Sequence, residues 1–304
     1  MARILVTGAS GLIGRALTGA LQQRGDEVVA LSRNPMRAGL SADVKVHPWV
    51  DPTGEQPPSP ALRDLHGVVH LLGEPIAQRW TPDVKRAIRD SRVLATRQLV
   101  DGLRALPEAD RPAVLVSQSA TGFYGPRGQE AIDEHATPGN DFLAEVVVAW
   151  EREALAAGAP TRVVTTRAGV VLATGAGALS KMLPFFRLGV GGPVAGGRQY
   201  VPWIHLADVI GGLLKCLDDP RLQGAVNLTA PEPVTNAELS RTLGRTLHRP
   251  ALFPVPELAV RLLYGEMATV VTTGQRAVPA ALLAAGHEFA YTALGPALQD
   301  LLGT

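Results

Sequence analysis

The stretch Ile4-Leu5-Val6-Thr7-Gly8-Ala9-Ser10-Gly11-Leu12-Ile13-Gly14 limits the fold more than any other part of these 304 residues. An apolar strand runs into three glycines spaced three apart, and an amphipathic helical run with Leu17 and Leu21 follows. Gly8 suits a tight turn, Gly11 a close approach of backbone to ligand, and Gly14 a close approach of helix to strand. The unpaired N–H groups of the new helix then face an anion. An ordinary glycine-rich turn carries the same residues. The strand before it and the helix after it are the context in which this pattern holds a dinucleotide pyrophosphate. Gly8, Ser10, Gly11, Leu12, Ile13 and Gly14 are therefore the first expected cofactor contacts.

The second strand reads Glu27 to Arg33 and ends in Ser32-Arg33. A cofactor with a free ribose 2′-hydroxyl calls for an Asp or Glu there. A guanidinium suits a 2′-phosphate instead, and no carboxylate stands beside it to repel one. Ser32 and Arg33 thus point to NADP(H); the alternative is a solvated loop charge. Arg37 is either a second phosphate contact or surface.

Composition narrows the class further. A net charge of +1 gives no basic surplus, which argues against nucleic acid as a partner. Cys216 is the single cysteine, so no intrachain disulfide can form, and a reducing compartment follows. No apolar run has the length of a membrane span, and the N-terminus enters a strand without a leader-like apolar region. A cytoplasmic protein acting on a small molecule is the expectation. The histidines are scattered and no metal-ligand spacing is present, so no metal is expected.

Further on, apolar strands at Gly67 to Gly73, Ala113 to Ser117 and Arg162 to Arg167 alternate with helical patterns at Pro82 to Leu106 and Asp141 to Ala157. Asp51 to Pro60 reads as a loop insert. Such alternation predicts an α/β fold, a Rossmann doubly wound parallel sheet covered on both faces. Ligands lie at the carboxyl ends of such strands, which adds Leu72, Gly73, Ser117 and Arg167 to the expected cofactor contacts. Arg167 could instead hold a substrate anion or pair with an acid. After Val171 the sequence becomes rich in glycine, with one apolar helix from Lys181 to Leu188. Trp203 to Leu217 returns to strand and helix, and Ala225 to Leu228 looks like a last sheet strand. Thr235-Asn236-Ala237-Glu238 is a capping box, and a helical, proline-punctuated tail follows. The expected division is a Rossmann domain over 1–172 and about 203–230, with a smaller, mostly helical substrate lobe over 173–202 and 231–304.

Several blocks together resemble one family. They are Gly8 to Gly14, Asp90-Ser91-Arg92, Ser119 to Gly125, Asp141 to Glu145, Gly191-Gly192-Pro193, Trp203-Ile204-His205 with Asp208, and Asn227 to Pro231. The chain is similar throughout to extended short-chain dehydrogenase/reductases of the NAD(P)-dependent epimerase/dehydratase type. Within them it resembles an atypical subfamily with an uncharacterised C-terminal helical domain. The resemblance implies a bound NAD(P) and a substrate held between sheet domain and C-terminal lobe. It also implies a Tyr with a Lys four residues later for proton transfer. Here the sequence departs. The residues four places after Tyr124, Tyr200, Tyr264 and Tyr291 are Gly128, Ile204, Ala268 and Gly295. Phe142 stands near the expected tyrosine position and cannot transfer a proton.

Replacement catalytic groups are therefore sought nearby. Ser119 and Thr121 end a strand and can orient a substrate oxygen. Tyr124 is the phenol nearest the site, with a structural role as the alternative. Glu145 shares a helix face with Asp141 and is either a general acid or base or a solvated acid. Tyr200, Trp203 and His205 are the expected substrate contacts. With Leu183, Pro184, Phe185 and Phe186 they suggest an apolar wall, although the same residues suit a lobe core. The two long helices, at Pro82 to Leu106 and Asp141 to Ala157, are where a homodimer would form. The expected function is an NADP(H)-dependent oxidoreductase or epimerase with non-standard acid/base residues, acting on a small apolar or natural-product-like substrate. The alternatives are an NADPH-binding sensor or partner-binding protein, and a non-redox isomerase or dehydratase.

Overall fold

The computed structural model describes residues 1–303. The chain begins with β1 (Arg3–Thr7), α1 (Leu12–Gln23), β2 (Glu27–Ser32), β3 (Lys45–Pro48), β4 (Gly67–His70), α2 (Pro82–Arg104) and β5 (Val114–Ala120). It continues through β6 (Ala131–Ile132), α3 (Phe142–Leu155), β7 (Arg162–Ala168), β8 (Val170–Leu172), α4 (Gly177–Arg187), β9 (Tyr200–Val201), β10 (Trp203–His205), α5 (Leu206–Asp218) and β11 (Gly224–Leu228). The last part holds β12 (Val234–Thr235), α6 (Asn236–Thr246), α7 (Glu257–Tyr264), α8 (Thr269–Thr272), β13 (Arg276–Ala277), α9 (Ala280–Ala284) and α10 (Leu294–Leu302).

Seven strands form one sheet in the order β11-β7-β5-β4-β1-β2-β3, and every neighbouring pair is parallel. The strands are apolar on both faces because helices cover both. Ile4, Val6 and Val116 pack with Leu17 of α1 and Leu213 of α5. Leu5, Val68 and Leu115 pack with Leu99 and Leu103 of α2 on the other face. The chain turns to β2 on one side of β1 and to β4 on the other. That reversal opens a crevice at the carboxyl ends of β1 and β4, where a dinucleotide lies in sheets of this order.

Local signals explain the helix starts. The Asp141 side chain accepts from Ala144 N at 2.8 Å ahead of α3, and Thr81 accepts from Val84 N ahead of α2. Thr235 accepts from Glu238 N, which is one arm of the expected capping box. β4 stops at His70, short of the expected Gly73, because Leu71 N turns to donate to the Thr7 hydroxyl. β5 runs past Ser117 to Ala120 because β7 pairs with it that far.

A second core lies beyond the sheet. Leu179, Leu183 and Phe186 of α4, Trp203, Leu239 and Leu243 of α6, and Leu298 of α10 bury one another there. Leu183, Phe186 and Trp203 therefore fill the lobe interior rather than wall a cleft, while Phe185 of the same group is exposed. The tail holds one strand the sequence pattern did not suggest: β13, paired parallel with β6.

Candidate functional site

Gly8 has a φ of +66°, and a Cβ there would lie 2.8 Å from Leu71 O. A Cβ on Gly14 would lie 2.2 Å from Gly8 O, so α1 starts directly on the turn. Gly11 caps α1 without a side-chain hydrogen bond, and the first helical turn carries no acidic residue. Its N–H groups are left for an anion. Leu12 and Ile13 are half-buried behind them, and Ser10 is exposed. Arg15 Nε donates to Ser10 O at 2.8 Å and its Nη2 to Ala38 O at 3.0 Å, which ties the turn to the loop after β2. In that loop Arg33 and Arg37 are exposed and, among the described residues, make no ion pair. Ser32 Oγ accepts from Asn34 N. A cradle that excludes side chains, beside two unpaired guanidiniums and no carboxylate, fits a 2′-phosphorylated dinucleotide.

What supports this turn comes from residues far along the chain and carries no local signal. His70 lies fully buried, with Nδ1 2.7 Å from Thr7 Oγ1 and Nε2 2.9 Å from Thr96 Oγ1. Burial pushes its pKa down to about 4, so the ring is neutral and links β1, β4 and α2. Beyond β4, Leu72 is half-buried and Gly73 exposed. Ser91 and Arg92 of α2 hold this loop. Glu74 N donates to Ser91 Oγ at 2.9 Å, and Arg92 Nη1 donates to Glu74 O at 3.0 Å and Ile88 O at 3.1 Å. The Arg92 guanidinium lies 5.3 Å from the Trp150 ring centroid, and a Cβ on Gly73 would come within 3.2 Å of it. Burial lowers its pKa to about 10, against the pull of the Glu74 charge. Among the described residues no carboxylate forms a salt bridge with it, and the Trp150 Nε1 beside it is buried without an acceptor.

The expected catalytic hydroxyls meet a different environment. Ser119 Oγ donates to Glu151 Oε1 at 2.5 Å. Glu151 also accepts Arg167 Nε and Nη2, each at 2.8 Å. Arg167 Nη1 donates to Tyr124 Oη at 3.2 Å and Glu134 O at 3.1 Å, and Tyr124 Oη donates to Asn227 Oδ1 at 2.6 Å. The guanidinium carbon stands 3.4 Å from the Phe123 ring centroid. Ser119, Tyr124, Glu151, Arg167 and Asn227 are all buried. Burial raises the Tyr124 pKa, and Arg167 only partly offsets it. In this closed network Arg167, expected at the cofactor, has its guanidinium turned into the protein, and Ser119 and Tyr124, expected as catalytic groups, have their hydrogen atoms committed inside it.

Ser117 is buried on the same strand, two residues before Ser119. Thr121 is buried just past the end of β5, where its carbonyl accepts Gln275 Nε2 at 2.7 Å and its hydroxyl has no partner among the described residues. Glu145 is exposed on the outer face of α3, near Val148 and Arg152. The faces turned inward carry Ala144, Val147 and Glu151, so the carboxylate α3 brings to the strand ends is Glu151 and not Glu145. Phe142 stacks edge-on against Trp80 at 5.2 Å.

On the lobe side Tyr200 is half-buried, with Arg276 5.3 Å from its ring centroid. Trp203 is fully buried and donates from Nε1 to Glu232 O at 2.9 Å. His205 caps α5, with Nδ1 accepting from Ala207 N and Nε2 3.2 Å from Asp300 Oδ2. Asp208 accepts from Ala290 N at 2.6 Å and Tyr291 N at 3.1 Å. The Trp203–His205–Asp208 block thus fastens the C-terminal segment to α5. Of the three expected substrate contacts, Tyr200 stands beside the Arg276 guanidinium, whose Nε has no acceptor. Among the described residues no cluster of three metal-ligating side chains occurs, and no helix is long and apolar enough to cross a membrane.

Residues 4–228 match the model of the NAD dependent epimerase/dehydratase family, and residues 255–301 match a domain of unknown function, DUF1731. The chain is 38% identical over 299 residues to an Arabidopsis thaliana protein described as a chloroplastic homolog of epimerase family protein SDR39U1, covering 98% of this chain and 86% of that one. That compartment is one the cytoplasmic expectation does not include. An epimerase family protein of Mycobacterium tuberculosis is 41% identical over 300 residues, covering 97% of this chain and 96% of the relative. The crystal structure of human epimerase family protein SDR39U1 (isoform 2) with NADPH superposes with a TM-score of 0.88 at 34% identity, covering 99% of each chain.

Proposed function

The chain belongs to the NAD dependent epimerase/dehydratase family, and from that premise we propose that it is an NADP(H)-dependent oxidoreductase or epimerase acting on a small molecule. One observation carries the choice of cofactor: the glycine cradle stands beside unpaired Arg33 and Arg37, with no carboxylate at the end of β2. The NADPH of the human relative supports it. The turn from Gly8 to Gly14 would hold the pyrophosphate, and Ser32 and Arg33 the 2′-phosphate. Leu72, Gly73 and Ser117 line the nicotinamide side, with Arg92 added as a cation left unpaired there. When bound, the cofactor supplies or accepts hydride. Residues 1–172 with about 203–230 hold the cofactor, and 173–202 with 231–304 cover the substrate. Thr121 is the hydroxyl free to orient a substrate oxygen.

Calorimetric titration with NADPH and NADH, alongside Arg33→Ala, tests this. NADPH binds more tightly, and the variant loses about 10- to 100-fold for NADPH alone, the range of one charge-assisted contact. Failure to bind either nucleotide overturns the reading.

A second reading, an NADPH-binding sensor without turnover, has one observation in its favour: Ser119 and Tyr124 are locked into the interior beside a helix lacking Tyr and Lys. It predicts tight NADPH binding with no transfer of label from 4-deuterated NADPH to any member of a carbonyl panel.

A further inference from the structure

Arg276 stands apart from most half-buried arginines of this chain. Arg162 donates to Cys216 O, Leu217 O and Leu222 O, and Arg111 to Leu106 O and Arg104 O. The Arg276 guanidinium makes no hydrogen bond or ion pair with another described residue; the side chain is half-buried, and its Nε is buried without an acceptor. A buried N–H donor without an acceptor is costly unless something else supplies one.

Its position is also fixed from both sides. β13, which carries it, pairs with β6. Gln275 Nε2 donates to Thr121 O at 2.7 Å, and Arg127 N donates to Gly274 O at 2.8 Å. Gly274 lies so close to β9 that a Cβ would fall 2.0 Å from Tyr200 O. The guanidinium is held against the Tyr200 ring at 5.3 Å, an arrangement that pre-orients its donors. Through the Gln275–Thr121 hydrogen bond the segment joins the end of β5 to the lobe, and it lies within the stretch matched by the domain of unknown function.

We propose that Arg276, stacked on Tyr200, is an anion-recognition subsite, and that the substrate carries a small oxyanion, a carboxylate or a phosphate. This rests on the reading of the crevice as a substrate site and gives the C-terminal domain its part in it: delivery of a preformed cation to the strand ends. It also replaces the expected apolar wall, of which Leu183, Phe186 and Trp203 are lobe core.

The test is calorimetric titration of the protein, with and without NADPH, using benzoate, phenyl phosphate and neutral benzamide. At least one of the two anions saturates, its identity telling carboxylate from phosphate, and benzamide does not. Arg276→Gln weakens that binding at least tenfold, Arg276→Lys keeps part of it, and Tyr200→Leu loses a few-fold. The NADPH affinity of Arg276→Gln matches wild type, which shows an intact fold. Failure of both anions to saturate, or equal binding by Arg276→Gln, overturns the proposal. If NADPH does not bind the wild-type protein, the cofactor reading fails, and the cofactor-free anion titration still decides the role of Arg276.

Discussion

Arg167 and Arg276 belong to two regions within reach of the same strand ends, and they are treated in opposite ways. Arg167 has a paired carboxylate, a phenol, a carbonyl and two aromatic rings around it. Burial opposes its charge, yet hydrogen bonding to Glu151 more than offsets this and raises its pKa. Arg276 has one aromatic ring and no acceptor. Arg92 is intermediate, with two carbonyl partners and no carboxylate. Where protein groups satisfy every donor, the residue serves the fold; where donors are left over, the site is shaped for something else.

The largest expected effect lies in the closed region. Glu151→Ala strands the Arg167 cation in the interior and costs about 3–5 kcal/mol, read by denaturant unfolding. The double replacement Glu151→Leu with Arg167→Met recovers most of that. A loss under about 1 kcal/mol for the single variant would mean that water reaches the pair, and the contrast with Arg276 would fail. Next comes pH. An unfolded histidine takes a proton near pH 6.5, and buried His70 resists one until about pH 4. Its contribution is complete above pH 6.5 and is lost as pH falls through 4, amounting to about 3 kcal/mol. His70→Gln flattens the stability curve over that window; an unchanged slope would show that another group governs it. Tyr124→Phe removes one buried hydroxyl and costs about 1–2 kcal/mol of stability, with NADPH affinity unchanged. A collapse of turnover without a stability loss would return Tyr124 to catalysis. Smallest of all is Glu145→Gln, expected to stay within about 0.5 kcal/mol and to leave cofactor affinity alone.

The dinucleotide turn was legible in the sequence because every residue that makes it lies between Ile4 and Gly14. Local spacing sets a local turn, and the same holds for the cap at Thr235. The sheet followed from alternation, since parallel strands covered on both faces leave apolar runs. The interior of the site was not legible. Tyr124 meets Asn227 from 103 positions away, and Thr7 meets His70 from 63. A hydroxyl or imidazole in a strand reads the same whether it faces a ligand or another buried side chain. Glu145 misled because helical spacing places it with Asp141 without saying which face meets the sheet. Trp203 and His205 misled for a related reason: a motif that fastens two parts of a chain has the same aromatic and polar composition as one that grips a substrate.

The order of the strands in the sheet also bears on how the chain is made. β1 leaves the ribosome before β2 and β4, yet it sits between them in the sheet. The nucleotide turn leans on Leu71 and His70, so it stays unsettled until β4 has been synthesised. The lobe waits longest, because its core needs Leu294, Ala297 and Leu298. A nascent chain arrested after β11 would thus hold all seven strands of the main sheet with an unformed cover, exposing to the translating cell an apolar surface that α6 and α10 conceal.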